Sequence, residues 1–425
     1  MVVTQSFPQG VQGDRDTKEI GVTSSVSRLM SRRTILIGAT PALALPLVGC
    51  ESGQSSRASS GFFSQPVPNA SQTATVPTSG DVIGSGNVKV ALILPRSAGG
   101  QSSAIADQLR NAAALALRNY TGSNLQIMVF DDGGSTEGGA KAASDAIAQG
   151  AQLIVGPLLA VSARGAAGPA RQANVPIITF TTDTSVGGRG VYLISFLPGN
   201  DVERIISFAS AQGRRSVAAI IPQDAFGGVA EAALRTSAAN HDVRLASIEH
   251  YTDATDMQTK AQNIGKLSSQ VDAVFVPDMA SNAAQIVDAM VQAGLDTKRV
   301  KVLGTSRWND PSAFSLPSLN GAWFPAVDPE LTSAFRAEYR SAYQSDPGPL
   351  AVLGYEAIYL AAGLENKVGQ NPFRPDVLTL RKGFIGRTGV FRFNTDGTSE
   401  RGLAVLEINN GSVRVVSPAP REFVA

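Results

Sequence analysis

The feature that most constrains the fold of this chain is a regular alternation of short apolar runs and longer helical stretches between residues 87 and 304. The runs of the first series lie at 88–94, 125–130, 153–155 and 175–180, and those of the second at 217–221, 243–248, 272–276 and 300–304. Alternating strands and helices predict parallel sheets with helices on both faces. Two such series predict an α/β protein with two Rossmann-like lobes.

The C-terminal part of the sequence departs from this rhythm. Two helices are predicted near 329–343 and 350–365, and hairpin-like strands follow at 389–393, 402–408 and 412–416. A late pair of helices followed by strands predicts that the chain crosses back to complete both lobes. Lobe I is predicted to comprise residues 87–198 and 327–386, and lobe II residues 199–326 and 387–425. The multi-strand hinge is predicted near 197–200, 326–328 and 386–388.

The only cysteine, Cys50, follows an apolar run that is too short to span a membrane. The run covers residues 35–48, is interrupted by a glycine and two prolines, and follows the basic pair Arg32-Arg33. A permanent span needs about 20 apolar residues. A basic segment before a short apolar run is typical of a secretory signal. Residues 1–49 are therefore predicted to be a signal region, with Met30 a possible true start.

The end of this run resembles a known processing site. Residues 47–50, Leu-Val-Gly-Cys, are similar to the lipobox of bacterial lipoproteins, in which the cysteine is acylated and becomes the first residue after cleavage. The resemblance implies that Cys50 anchors the protein to the inner or the outer membrane; a buried thiol is the alternative. Residues 31–36 resemble a twin-arginine export signal, with Ile35 where Phe is preferred, so general secretion also stays open.

The segment after Cys50 has the composition of a linker. Residues 51–86 are rich in Ser, Gly, Pro, Thr and Gln. Such a segment cannot bury enough apolar surface to offset its chain entropy, so we expect a flexible tether, residues 50–86, between the lipidated cysteine and the folded part. An N-terminal arm packed on the folded part is the alternative.

Charge, cysteine content and motifs limit the possible functions. The formal net charge of +1 leaves no electrostatic footprint for nucleic acid, and a single cysteine allows neither an intrachain disulfide nor a cysteine metal site. No G-x-S-x-G elbow, H-E-x-x-H helix or P-loop is present. His241 and His250 are predicted to be surface or edge residues, and Asp131-Asp132 are either a helix cap and turn or a metal or ammonium site. The sequence predicts a binding protein, without catalysis, metal or cofactor.

Several segments resemble one family of binding proteins. Residues 152–180, "QLIVGPLLAVSARGAAGPARQANVPIITF", resemble the signature of leucine-binding-type periplasmic receptors, and residues 355–363 and 389–401 resemble the late helix and closing strands of that family. The resemblance implies a type I periplasmic-binding fold, two lobes with parallel sheets joined by a multi-strand hinge.

Two functional groups share this fold. One group delivers amino acids to the permease of an ABC transporter, and the other, the penicillin-binding protein activators, consists of lipoproteins that stimulate a peptidoglycan synthase. Residues 90–100, 130–157 and 190–227 are more similar to the second group. The resemblance therefore implies a lipid-anchored periplasmic regulator of peptidoglycan synthesis. The alternative is a receptor for an amino acid of the branched-chain type or a similar small molecule.

Candidate ligand-binding residues follow from the resemblance and from the ends of the predicted strands, where ligands of parallel sheets bind. In the amino-acid receptors, hydroxyl groups after Val-Gly-Pro and after the Val-Pro strand bind the ligand's carboxylate and ammonium. The corresponding residues here are Leu159 and Ala160, which retain main-chain N–H groups at a helix start, Thr181 and Thr182, and Phe226 at the aromatic lid. Strand ends add Arg96, Ser97, Asp224, Asp278 and Trp308.

Overall fold

The computed structural model describes residues 81–423. The predicted signal region, Cys50 and most of the predicted linker lie outside the described residues. The end of the predicted linker is not a tether, because residues 82–83 form a strand that pairs with residues 127–128. Among the helices of residues 81–423, none has the length and apolar character needed to cross a membrane. The predicted α/β class with two lobes is confirmed by the two sheets described below.

Lobe I is built on a six-stranded sheet. Its elements are β1 (Val82–Ile83), β2 (Val88–Leu94), α1 (Gly100–Asn119), β3 (Leu125–Asp131), α2 (Thr136–Ala148), β4 (Leu153–Val155), α3 (Ala160–Ala173), β5 (Ile177–Thr179) and β6 (Val191–Leu193). The strand order is β1-β3-β2-β4-β5-β6, and only the β1–β3 pair is antiparallel. The last five residues of β2 are all buried, as expected for a central parallel strand covered on both faces.

Lobe II is built on a seven-stranded sheet. Its elements are α4 (Pro198–Ala211), β7 (Ser216–Pro222), α5 (Ala225–Asn240), β8 (Arg244–Tyr251), α6 (Ala254–Gly265), β9 (Ala273–Phe275), α7 (Ala280–Gln292), β10 (Lys301–Leu303), α8 (Pro311–Phe314), β11 (Trp323–Ala326), β15 (Ala404–Asn409) and β16 (Ser412–Ser417). The order is β16-β15-β11-β10-β9-β7-β8, in which β15 and β16 are antiparallel to their neighbours.

The chain between β11 and β15 returns to lobe I. It forms α9 (Pro329–Tyr343), α10 (Ala351–Val368), α11 (Pro375–Leu378) and a small antiparallel sheet of β12 (Phe384–Gly386), β13 (Gly389–Phe393) and β14 (Ser399–Arg401). Phe384, Phe391 and Phe393 from this sheet join the lobe I core. The sequence-based boundary at residue 386 falls between β12 and β13, whereas the strand that enters the lobe II sheet begins at Ala404.

Small residues let the helices of lobe I pack closely. A Cβ placed on Gly139 of α2 would lie 2.1 Å from the carbonyl oxygen of Ser162 in α3, and one on Gly165 of α3 would lie 2.0 Å from the carbonyl oxygen of Thr136. Only glycine permits such an approach of two backbones. The Gly- and Ala-rich sequence of these helices thus determines how near α3 lies to α2, and so where the start of α3 is placed.

A buried ion pair ties two of the three chain passes between the lobes to lobe I. The Arg401 guanidinium, at the end of β14, donates to Glu356 of α10 across 2.9 Å and to the carbonyl oxygen of Ser195 across 3.2 Å. The other Glu356 oxygen accepts the main-chain N–H and the hydroxyl of Thr388, at 2.8 and 2.6 Å. Because Ser195 follows β6 and Arg401 precedes β15, the Glu356–Arg401 pair holds both passes at the hinge.

Candidate functional site

The carboxyl ends of the lobe I strands bring three loops together. Ala98, Gly134 and Leu159 lie in the loops after β2, β3 and β4. A Cβ placed on Gly134 would lie 3.0 Å from the Cβ of Ala98 and 3.3 Å from the side chain of Leu159. Asp131 at the end of β3 accepts the main-chain N–H of Ser97 at 3.2 Å and of Gly133 at 2.9 Å. Burial acts to raise the pKa of Asp131, but these hydrogen bonds outweigh it and lower the pKa below its ordinary value.

The two adjacent aspartates of lobe I have different environments. Asp132 is buried, and one carboxylate oxygen accepts the Gly134 N–H at 2.8 Å. Its other oxygen and the buried hydroxyl of Ser162 in α3 have no hydrogen-bond partner of good geometry in the described part of the chain. Burial raises the pKa of Asp132 to about 6. Asp132 therefore faces the inside of lobe I, while Asp131 organises the turn with Ser97.

The loops after β4 and β5 place main-chain donors and hydroxyls at the same edge. Leu159 and Ala160 begin α3, whose first turn has no side-chain cap, so N–H groups at this helix start are free of an internal side-chain acceptor. Thr181 is buried and its hydroxyl oxygen accepts the Asp183 N–H at 3.1 Å, whereas Thr182 is exposed. The Asp183 carboxylate forms an ion pair with Arg164 of α3.

Arg96 lies at the edge of this group of loops. Its guanidinium is 3.3 Å from Asp81 and 4.0 Å from Asp107, and its side chain is 40% exposed. Asp81 precedes β1, the outermost strand of the sheet, and also accepts two hydrogen bonds from Arg110 at 2.8 and 2.6 Å. The ion pairs of Arg96 therefore direct it towards the outer edge of lobe I.

In lobe II, Asp278 after β9 is buried in a network of its own lobe. Its carboxylate accepts the hydroxyl of Tyr251, the Asn282 side chain at 3.0 Å and the Met279 N–H at 2.6 Å. Burial, together with the hydrogen bond to Asp278, raises the pKa of the Tyr251 hydroxyl above its ordinary value. Three donors therefore already satisfy Asp278.

Trp308, expected on a wall of the cleft, is fully buried. Its indole N–H donates to the carbonyl oxygen of Asp278 at 2.9 Å, and its ring fills the space beside Gly304, where a Cβ would lie 2.3 Å from the ring. The glycine makes room for the indole inside lobe II. Trp308 is thus part of the core beneath the strand ends. Its ring is not exposed on a wall of the cleft.

Arg307, which the sequence analysis did not single out, lies next to Trp308 and contacts the predicted residue Phe226. The guanidinium carbon of Arg307 is 3.4 Å from the ring centroid of Phe226, and Arg307 forms no ion pair with a carboxylate of residues 81–423. Asp224 caps α5 by accepting the Gly227 N–H at 2.7 Å. Phe226 and Arg307, both half-buried, place an aromatic face and a positive charge at the strand ends of lobe II.

Asp201 holds the loop that carries Arg307. Asp201 is buried at the start of α4 and accepts the main-chain N–H of Ser306 at 2.9 Å and its hydroxyl at 2.6 Å. Burial raises the pKa of Asp201 to about 6. The sequence signals only a helix start here, a proline followed by an acidic residue in the first turn, and the partner Ser306 is 105 residues away.

The described strand-end loops form no metal-binding cluster. Within residues 81–423, no group of three or more His, Cys, Asp or Glu side chains could hold a metal ion. His241 and His250 contact Glu203 and Glu231 on helices of lobe II. A cavity of 370 Å³ lies elsewhere, at the opposite end of lobe I, and is lined by residues 84–86, 117, 120 and 122–125.

Comparisons with known proteins identify the fold. A family model described as periplasmic binding protein matches residues 87–412. No curated protein sequence matches the chain. Solved structures with the same fold are numerous, and three illustrate their range.

The first is a structure described as a branched-chain amino acid ABC transporter from Rhodospirillum rubrum. It has 18% identity to this chain and a TM-score of 0.67, and the match covers 77% of this chain and 99% of the other. The leucine binding protein LivK of Thermotoga maritima has 19% identity and a TM-score of 0.54, with coverage of 78% and 98%. The C-domain of LpoA from Haemophilus influenzae, a regulator of PBP1A, has 17% identity and a TM-score of 0.60, with coverage of 77% and 99%. At these identities the likeness establishes the fold alone.

Proposed function

The chain belongs to the periplasmic binding protein family, and we propose from this premise that it is a non-catalytic extracytoplasmic protein whose two lobes close on a ligand or on a segment of a partner protein. Binding to both lobes favours the closed state by the difference in affinity between the closed and open states. The strand-end loops of each lobe supply the contacts, and the three chain passes at the hinge supply the axis of closure.

Within this family we assign the chain to the regulators of peptidoglycan synthesis. The observation that carries the assignment is that three strand-end acceptors suited to an amino acid's ammonium are already used within the protein. Asp183 pairs with Arg164, Asp278 accepts three donors, and the Thr181 hydroxyl oxygen accepts a main-chain N–H. An ammonium that leaves water needs acceptors in exchange, because an unpaired buried charge costs several kcal/mol.

We further propose that Cys50 carries the lipid that holds the protein at the bacterial membrane. The proposal rests on the apolar run before Cys50 and on the Leu-Val-Gly-Cys sequence. When membranes are washed in high salt, which screens attraction between exposed charges, Cys50→Ser should move the protein from the membrane fraction to the soluble fraction of the cell envelope. Unchanged sedimentation of the variant in high salt would contradict lipidation.

A transport receptor is the second candidate, and one observation favours it. The uncapped start of α3 and the guanidinium of Arg307 are donors suited to an anion, one in each lobe. Arg307 forms no direct ion pair within residues 81–423, although its charge lowers the pKa of the buried Asp201 carboxyl against the larger effect of burial. A carboxylate ligand with an apolar body would meet the Phe226 ring as well. A solute binding protein of this fold from Rhodopseudomonas palustris has been solved with benzoate, which is a ligand of this kind.

Thermal unfolding of the full chain carrying Cys50→Ser separates the two candidates. The protein is refolded to remove carried-over ligand and is then measured with free amino acids and with aromatic and aliphatic carboxylates. A ligand at 1,000 times its Kd stabilises by about 4 kcal/mol, which raises the midpoint by several degrees. A flat panel together with a higher rate of glycan polymerisation by a purified peptidoglycan synthase of the same cell supports the regulator.

A shift with one class of ligand would instead identify a receptor. In that case Arg307→Gln should abolish a shift caused by carboxylates, while Arg299→Gln, which removes a charge from the opposite end of lobe II, should leave it intact. No shift and no effect on any synthase would contradict both candidates.

A further inference from the structure

The end of lobe II opposite the strand ends described above carries an excess of basic side chains. In a parallel sheet, all strands begin at one edge, so the residues that precede them converge there. Strands β10, β9, β7 and β8 are neighbours in that order, and the segment that leads into each of them contains at least one basic residue. We call this surface the basic pole; it comprises Arg214, Arg215, Arg244, Lys266, Lys298 and Arg299.

The basic side chains of the pole are not paired with carboxylates within the described residues. None of the six side chains forms an ion pair with a carboxylate of residues 81–423. Three arginines donate to main-chain oxygens instead: Arg214 to Arg299 O at 2.8 Å, Arg299 to Val271 O at 3.2 Å and Arg244 to Gln270 O at 2.9 Å. These bonds fix the guanidinium groups without cancelling their charge, because a carbonyl oxygen carries only a partial charge.

Acidic residues on the same loops are fewer and partly engaged. They are Asp242, Asp272 and Asp296, and Asp272 accepts the main-chain N–H groups of Arg215 at 3.1 Å and Ser216 at 2.9 Å. The whole chain has a formal net charge of only +1. The positive charge of the pole is therefore a local concentration and not a reflection of a basic protein.

The chemistry and shape of the pole fit a layer of phosphates. Neighbouring strands lie about 4.8 Å apart, so four strand beginnings spread the charges over roughly 15 Å. Guanidinium groups bind phosphate oxygens in pairs, and anionic lipid headgroups attract nearby basic residues by about 1 kcal/mol each. Charges on four separate loops form a broad surface, which matches a bilayer better than it matches a single small anion.

We propose that the basic pole docks lobe II on the anionic headgroups of a phospholipid bilayer. The proposal rests on the proposed lipid anchor at Cys50 only for bringing the domain near a membrane. The strand ends proposed to face the ligand or partner lie at the other end of the same strands, about 23 Å away along the seven residues of β7. Docking of the basic pole therefore leaves these strand ends turned away from the bilayer and open to a partner.

Vesicle binding by the full chain carrying Cys50→Ser tests the surface without the acyl chain. Sedimentation with phosphatidylcholine vesicles that contain phosphatidylglycerol should show binding that falls with rising salt, and vesicles of phosphatidylcholine alone should bind much less. The test variant combines Arg215→Gln, Lys266→Gln and Lys298→Gln, three exposed residues whose side chains form no hydrogen bonds or ion pairs in residues 81–423. At about fivefold for each charge, it should bind about a hundredfold more weakly.

The matched control removes the same number of charges from lobe I and the small sheet. It combines Arg189→Gln, Arg336→Gln and Lys382→Gln, which are also exposed and without an ion pair in the described chain, and it should bind within about threefold of the parent. The proposal would be overturned by equal loss of binding in both variants, by equal binding to neutral vesicles, or by no vesicle binding at all. A protein that binds no vesicles would point to an acidic protein partner.

Two further outcomes are distinguishable. Displacement from vesicles by inorganic phosphate beyond that by chloride of equal ionic strength would identify a site for a single anion and overturn docking on a bilayer. Failure of the lipid anchor appears instead in cell fractionation of Cys50→Ser, since the vesicle assay does not depend on acylation.

Discussion

Asp132→Asn should stabilise the protein at neutral and alkaline pH, although it removes a charge from a hydrogen-bonded carboxylate. The Gly134 N–H, which lies 2.8 Å from a carboxylate oxygen of Asp132, can donate equally to the carbonyl oxygen of the substituted side chain. The new amide group can donate to the Ser162 hydroxyl oxygen, which lacks a partner of good geometry in the described residues. The substitution therefore keeps one hydrogen bond, allows a second, and removes a buried charge.

The magnitude follows from the raised pKa of Asp132. Burial raises it from 3.8 to about 6, and each unit corresponds to about 1.4 kcal/mol. Because the pKa is higher in the folded state than in the unfolded state, the stability contributed by this group is fully present below pH 3.8 and is lost as the pH rises through about 6. The variant should thus gain about 3 kcal/mol over the parent at pH 8, and about half of that at pH 5.

Urea unfolding followed by circular dichroism measures this difference in the free energy of unfolding. Tryptophan fluorescence is less suitable, because Trp308 and Trp323, the two tryptophans of the chain, both lie in lobe II, whereas Asp132 lies in lobe I. Asp131→Asn is the matched control. Its pKa is lowered by hydrogen bonds from Ser97 and Gly133 that outweigh burial, so this variant should be less stable than the parent at pH 8, and the loss should shrink as the pH falls.

A destabilised Asp132→Asn at pH 8, or a gain that does not change between pH 8 and pH 5, would refute the reasoning. The first result would mean that the ionised carboxylate is better solvated than its burial indicates. The second would mean that the gain comes from the new amide hydrogen bond and not from the removed charge.

Two other substitutions test the packing that positions the site. Glu356→Gln should lower the free energy of unfolding by about 3–5 kcal/mol, because it leaves the buried Arg401 charge without its counter-charge; a loss below about 1 kcal/mol in urea unfolding would show that water reaches Arg401. Gly139→Ala should cost about 1–3 kcal/mol or more, since the new Cβ would lie 2.1 Å from the Ser162 carbonyl oxygen. In the same measurement Gly168→Ala in α3, where no atom lies within 4 Å of the new Cβ, should be neutral or stabilising by up to about 1 kcal/mol; an equal loss in both variants would argue against close backbone packing as the cause.

The strands and their order along the chain were determined by local sequence. Residues 88–94 and 153–155 form strands with the predicted bounds, because a continuous apolar run between turn residues has few alternatives once both faces of a sheet are covered. The two series of runs, and the resemblance of residues 152–180 to one family, were likewise sufficient for the two-lobed α/β fold. These properties depend on residues that are near one another in sequence.

The assignment of strands to lobes, and of side chains to the cleft or the core, was decided only by tertiary structure. Residues 389–393 form the expected strand, but Phe391 and Phe393 pack into lobe I, a contact between residues far apart in the chain. Trp308 ends in the core because Gly304 leaves space for its ring, and Asp131 and Asp132 differ because successive residues point to opposite sides of an extended chain. Sequence identifies which residues lie at strand ends, whereas the direction and partners of their side chains depend on the packing of the other elements.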